Sequence, residues 1–275
     1  MRLASFANRH ENRRMLKIPL SMKAFAVLAM ATFVAGAHAE IAVKSGEKIA
    51  FLGDSITQAG SSKPDGYVKL IIAGLAANGI TAEPVPAGIS GHKSNQMLAR
   101  LEKDVLSKKP QWMTLSCGVN DVWHGMNGVP LDDESAAANP VNPPKPGEPE
   151  KGTYKKNISA IVDQATAAGV KVVMLTATVI HEKLDNAENA KLAAYNDFLR
   201  SLAKEKKLPL ADLNAMFQER LKTTNTPEAK VLTTDGVHMN ADGNRLMAVG
   251  VLRAFGLGDA ELQKAQDAWA SAPAP

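Results

Sequence analysis

The sequence predicts an α/β fold with a five-stranded parallel sheet covered by helices on both faces. Three observations lead there. Five short apolar, β-branched runs recur along the chain. Between them lie segments of helical periodicity, long enough to cross from one parallel strand to the next. Glycine-bearing polar blocks follow several of the runs directly, where parallel sheets present their ligand sites.

The first strand is Lys48–Leu52, and Ser55 behind it opens a loop or a helix N-terminus. Gly66 to Asn78 predicts a helix with Tyr67, Leu70, Ile71, Gly74 and Leu75 on one face. Thr81 to Val85 is a weaker second strand. Ser94 to Leu106 predicts a helix with Met97, Leu98, Leu101 and Val105 inward, which assigns Arg100, Lys103, Lys108 and Lys109 to a solvated face. Trp112–Ser116 is the third strand. Thr153 to Ala168 is helical and stops at Gly169, a C-cap signal. Val170–Thr176 is the strongest strand, with a helix from Glu188 to Lys206 behind it. Leu208–Asp212 is the last strand, and helices from Ala241 to Phe255 and from Asp259 onward close the chain. One segment breaks the alternation: Gly128 to Gly152 holds six prolines and reads as a long loop insertion, placed to overhang a site at the third strand's end.

The chain has 275 residues, a formal charge of +4 and a hydrophobic content of 45%. A single cysteine excludes an intramolecular disulfide framework and a Cys-based zinc site. The positive charge would suit a polyanion, but it is concentrated at the N-terminus. Residues 1–39 carry six of the 32 basic and one of the 28 acidic side chains, so the remainder sets 26 basic against 27 acidic, near −1. A basic stretch, the apolar run Ala24–Ala35 and Ala37-His38-Ala39 form a secretory leader pattern, with cleavage expected after Ala39. The run is well short of the ~20 residues that span a bilayer. Residues 40–275 then form one domain, periplasmic or secreted, with no lasting membrane anchor. No aromatic-interleaved basic stripe points to nucleic acid.

Four blocks can carry chemistry. Gly53-Asp54-Ser55-Ile56-Thr57 turns sharply after the first strand and presents a hydroxyl beside backbone N–H groups. Ala87-Gly88-Ile89-Ser90-Gly91-His92 lets backbone approach a ligand closely. Gly118-Val119-Asn120-Asp121 offers a side-chain amide that can donate to a developing negative charge. Asp235-Gly236-Val237-His238 puts a carboxylate three residues before an imidazole, close enough to fix its tautomer. Each block alone equally suits an ordinary turn or cap.

Together, in this order and on these strand ends, the blocks resemble the SGNH hydrolases, also called the GDSL esterase/lipase family, over roughly residues 47–256. The resemblance implies a three-layer flavodoxin-like fold with strand order 2-1-3-4-5, and an acyl ester hydrolase that needs no metal or other cofactor. By position it implies Ser55 as nucleophile, His238 as general base and Asp235 as the carboxylate orienting it. The backbone N–H of Ser55, that of Gly91 and the Asn120 amide would form the oxyanion hole. Pro86 and His92-Lys93 depart from the residues many members carry at those positions.

Trp123 and His124 follow the Asn block and are candidate substrate contacts together with Lys93, although Trp123 also suits an anchor for the long loop. His181-Glu182 reads as a rim loop and Cys117 as a small buried hydrophobe. The expected activity is that of an exported serine esterase, in the first instance a carbohydrate O-acetyl esterase acting on a small-molecule or polysaccharide ester. The runner-up is a lysophospholipase, thioesterase or arylesterase of the same family. A silent carbohydrate-binding module, and a metal phosphoesterase built on Asp54, Asp121, Asp235 and His238, are the readings from other classes.

Overall fold

The computed structural model describes residues 40–224 and 230–271. The expected leader, residues 1–39, lies outside them. Five parallel strands run in the order β2-β1-β3-β4-β5, as the resemblance implies. They are β1 (Lys48–Gly53), β2 (Glu83–Gly88), β3 (Trp112–Ser116), β4 (Lys171–Leu175) and β5 (Leu210–Ala211). β1 and β3 are almost entirely buried, which is why they read as unbroken apolar runs and not as alternating ones. β2 pairs only with β1. At that edge Pro84 and Pro86 remove two backbone donors that an inner strand would need.

The helices are α1 (Ser55–Ser62), α2 (Tyr67–Ala77), α3 (Ser94–Asp104), α4 (Val119–Trp123), α5 (Asp133–Ala138), α6 (Tyr154–Ala167), α7 (Ala187–Lys206), α8 (Leu213–Thr224), α9 (Ala241–Ala254) and α10 (Asp259–Ser271). α2 packs against α1, α9 and α10, while α3 packs against α6, and α6 against α7. This division follows from right-handed crossovers: the chain leaves β1 toward β2, then returns past β1 to β3, so α2 and α3 fall on opposite faces. The reversal opens a crevice between the C-terminal ends of β1 and β3. No helix among the described residues is long and apolar enough to cross a membrane.

Two expectations need correction. Residues 128–152 are not loop throughout, because α5 interrupts them. Its first turn is capped by Asp132 Oδ1, which accepts from Ser135 N at 2.9 Å and Ser135 Oγ at 2.7 Å. Arg100 is not on a solvated face. It is buried, whereas Lys103, Lys108 and Lys109 are exposed as expected.

Candidate active site

Paired positions bring three of the blocks together. Gly53 lies opposite Gly88, and Leu52 opposite Leu115, so the chain leaves β1, β2 and β3 side by side at one end of the sheet. Gly53 is required there: a Cβ would stand 2.0 Å from Thr57 Oγ1 and 3.2 Å from the Ser116 carbonyl oxygen. Gly118 turns the chain after β3 at φ 134°, a left-handed backbone that delivers Asn120 into the short helix α4.

Ser55 is the first residue of α1, and Asp54 rather than Ser55 caps that helix, through Asp54 Oδ1 accepting from Ile56 N at 2.9 Å. Burial pushes the Asp54 carboxyl up to about 6 despite that bond, and the nearby Asp121 adds to the rise. The Ser55 hydroxyl is therefore free to face His238, whose Nε2 is 2.8 Å from Ser55 Oγ. His238 Nδ1 lies 2.6 Å from Asp235 Oδ2. The other oxygen, Asp235 Oδ1, accepts the backbone N–H groups of Val237 at 2.9 Å and His238 at 2.8 Å. Partial burial alone would raise the Asp235 carboxyl, but the His238 backbone N–H, the His238 ring and Val237 N–H outweigh it and hold it at about 2. A hydroxyl, an imidazole and an ionised carboxylate thus stand in one hydrogen-bonded line, an arrangement that can activate a serine.

Three N–H donors stand on the same strand ends. Among the described residues, no acceptor takes the backbone N–H of Ser55 or of Gly91. Asn120 is buried, and one of its amide hydrogens goes to the His92 carbonyl at 3.2 Å. That bond fixes the amide plane and leaves the second hydrogen available. Asp121, next along α4, ties the β3 loop to α3: its Oδ1 accepts from Ser94 N at 3.0 Å and Ser94 Oγ at 2.6 Å, and its Oδ2 from Cys117 Sγ at 3.4 Å. Asp54, Asp121 and Asp235 are each spent on separate partners. No group of three or more His, Cys, Asp or Glu side chains gathers as a metal site among the described residues.

Two supporting residues escaped the sequence reading. Arg100 donates to the Gly53 carbonyl at 2.9 Å, the Ala87 carbonyl at 2.8 Å and His92 Nδ1 at 3.1 Å, with Asp104 Oδ2 at 3.0 Å behind it. One guanidinium therefore clamps the ends of β1 and β2 and holds the His92 ring with Nδ1 as acceptor. Glu182 gathers the segment ahead of Asp235: its carboxylate accepts the N–H groups of Val231 at 2.6 Å, Leu232 at 2.9 Å and Thr233 at 2.7 Å, and the Thr233 hydroxyl at 2.6 Å. The neighbouring His181 N–H donates to the Gly236 carbonyl at 2.8 Å, bracing the Asp235–His238 turn from the β4 loop. A helical wheel cannot show the first arrangement, because it does not reveal unpartnered strand-end carbonyls. The second spans about fifty residues of sequence.

Of the remaining candidates, Lys93 and His124 share the wall of a cavity of about 240 Å³ with Gly91 and the Pro-rich insertion. Trp123 is 36% exposed, its ring against His124 and His181. Ile89 and Met126 are the other large apolar side chains exposed among the described residues, and both belong to loops of the same sheet end.

Comparison with known proteins agrees with this architecture. The model of the GDSL-like Lipase/Acylhydrolase family matches residues 51–246. An acetylxylan esterase of Geobacillus stearothermophilus is 27% identical over 226 residues, covering 78% of this chain and 96% of that protein. A solved acetyl xylan esterase, AlAXEase, is 32% identical with a TM-score of 0.61, covering 75% of this chain and 98% of its own. The solved acetylxylan esterase Axe2 from Geobacillus stearothermophilus is 26% identical with a TM-score of 0.63, covering 79% and 97%. Structures described as catalytic mutants of Axe2 replace a serine, an aspartate and a histidine, the last two three positions apart.

Proposed function

The chain belongs to the GDSL-like lipase/acylhydrolase family, and on that premise we propose that it is an exported serine esterase that removes acetyl groups from a polysaccharide such as xylan. The observation that carries the reading is the 2.8 Å and 2.6 Å line from Ser55 through His238 to Asp235, on a fold shared with acetylxylan esterases. The spacing of Asp235 and His238 matches that of the aspartate and histidine changed in the Axe2 catalytic mutants. Exposed Trp123, Ile89 and Met126 at the mouth suit the apolar face of a sugar ring better than a buried acyl tunnel. The leader pattern of residues 1–39 supports export to where such polymers lie.

The chemistry follows from the geometry. His238 Nε2 takes the Ser55 proton as Oγ attacks the ester carbonyl, and the carbonyl oxygen becomes an oxyanion. Ser55 N–H, Gly91 N–H and the Asn120 amide hydrogen receive that charge. As the tetrahedral intermediate collapses and its bond to the sugar oxygen breaks, the imidazolium gives its proton to that oxygen, so the sugar departs as an alcohol and an acyl-Ser55 remains. The same imidazole next activates water, which releases acetate and restores Ser55. Asp235 holds Nδ1–H throughout, so whenever the ring is neutral Nε2 faces Ser55 with its lone pair.

The deciding experiment compares p-nitrophenyl esters from acetate to palmitate beside acetylated xylan. Preference for acetate with release of acetic acid from xylan is expected; preference for long chains would overturn the acetyl-esterase reading. Asn120→Ala should lower kcat by about 100- to 1,000-fold, the typical loss for one oxyanion donor. An effect confined to KM would remove Asn120 from that role.

A further inference from the structure

The cavity beside Gly91 has a charge the rest of the domain lacks. Its walls bring Lys93 from the β2–α3 loop and His124 from the end of α4 against Lys145, Glu148 and Lys151 of the insertion. Three lysines thus face one carboxylate, in a domain whose residues 40–275 sum to near −1. That carboxylate is partly spent already, because Glu148 Oε2 accepts the Lys145 backbone N–H at 3.2 Å. None of the three ammonium groups has a carboxylate within 4.0 Å among the described residues. Lysines just outside the cavity behave differently: Lys155 and Lys156 each pair with an aspartate at 2.8 Å. Like charges left together in a partly enclosed space repel one another, and burial together with the Lys93 charge pulls the Lys151 ammonium down. An anion placed among them would relieve that repulsion.

The wall is built, not draped. Asn95 Nδ2, at the start of α3, donates to the Pro149 carbonyl at 3.0 Å, and Asn157 Nδ2, on α6, donates to the Lys151 carbonyl at 2.8 Å. Asn142 N donates to the Met126 carbonyl at 2.8 Å, closing the far end of the segment. The insertion is thereby fastened to the two helices and the loop that frame the site. About 240 Å³ corresponds to about eight waters at ~30 Å³ each, the scale of one sugar residue. Gly91 belongs both to this cavity and to the oxyanion donors, so the two sites adjoin.

The geometry points to a subsite for a carboxylate-bearing sugar, a uronate, carried by the polysaccharide next to the acetylated residue. This rests on the carbohydrate acetyl esterase reading above and sharpens it: the natural polymer is an acidic one rather than a neutral chain. Lys145 and Lys151 recognise the carboxylate, with Lys93 contributing from the opposite wall.

The test uses the full-length protein and acetylated xylo-oligosaccharides carrying a glucuronic acid branch, against the same oligosaccharides after chemical reduction of the carboxyl to an alcohol. At low ionic strength kcat/KM should favour the acidic form by about tenfold, mainly through KM, as expected for two or three partly exposed charge pairs. Raising salt to about 0.5 M should shrink the ratio, because the Debye length then falls to a few ångströms. In Lys145→Gln/Lys151→Gln the ratio should approach one. Equal kcat/KM on acidic and reduced substrates, or a preference that survives both salt and the double substitution, would overturn the subsite alone. The salt series on the unmodified protein decides the matter even if the double variant folds poorly. Cleavage of p-nitrophenyl acetate with no acetate released from either oligosaccharide would overturn the carbohydrate reading, and the subsite with it.

Discussion

Ser55→Ala is expected to lower kcat on p-nitrophenyl acetate by about 10⁴-fold or more, while the melting temperature stays within about 2 °C. The size of the loss follows from how few hydroxyls are in reach. Thr57, two residues on, is buried and has its hydroxyl bonded to Tyr67 Oη at 2.8 Å, and Ser61 Oγ is turned onto the Thr57 carbonyl at 3.0 Å. Neither faces His238, so no neighbour can stand in as nucleophile. The small effect on stability follows from the same geometry. Asp54 supplies the cap of α1, and the Ser55 side chain bonds only to an imidazole that is itself one-third exposed, at 33%. Alanine is also the better helix former at that position. His238→Ala should cause a comparable loss, and combining the two should cost little more, since they act as one unit. Activity largely retained in Ser55→Ala would overturn the serine mechanism, and with it the assignment of Asp235 and His238 as its support.

The same contrast between local and distant causes decides what was legible in the sequence. β3 begins and ends where its apolar run does, at Trp112 and Ser116, because it is buried on both faces. α6 runs one residue inside its predicted limits at each end, with Thr153 as N-cap and Gly169 beyond its C-terminus at φ 77°. β2 sits two residues later at its start and three at its end than its apolar content suggests, Glu83–Gly88 instead of 81–85. At an edge, pairing with β1 sets the register, and exposed Glu83, Pro84 and Pro86 give no hydrophobic signal. α4 and α5 are too short to show a period, and α8 buries only Leu213, Asn214 and Phe217. At the site, the four blocks were readable because each lies within a few residues of a strand end. Arg100 was misassigned because its partners, the Gly53 and Ala87 carbonyls, are set by the meeting of two strands and not by its own helix. The lysines of the insertion, Lys145 and Lys151, belong to no motif and have no periodicity to mark them. Only the fold, by tying Pro149 and Lys151 to α3 and α6, brings them to Gly91.

Asp235→Asn should lower kcat by about 10³- to 10⁴-fold with little change in KM or melting temperature. The carboxylate serves two sets of partners at once. Oδ1 accepts the Val237 and His238 backbone N–H groups, and Oδ2 accepts Nδ1–H of the imidazole. An amide has only one accepting oxygen. If that oxygen keeps the two backbone N–H groups, its NH₂ faces Nδ1 and selects the tautomer with the proton on Nε2. Nε2–H then points at Ser55 Oγ and cannot take its proton. If the amide turns the other way, its NH₂ is set against two backbone donors and the turn loses both bonds. The first orientation is the cheaper, so the variant folds and holds its imidazole in the wrong state. Asp235→Ala differs in kind, because it also releases the turn, and it should lower the melting temperature further than the amide does. The acid side of the pH profile separates these roles again. With its carboxyl held at about 2, Asp235 stays ionised through any pH at which the enzyme is assayed, so a fall in activity under mildly acid conditions does not come from protonation of this carboxylate. Wild-type-like kcat in Asp235→Asn would show that Nδ1 needs no carboxylate here, and would leave the 2.6 Å contact as a feature of the turn alone.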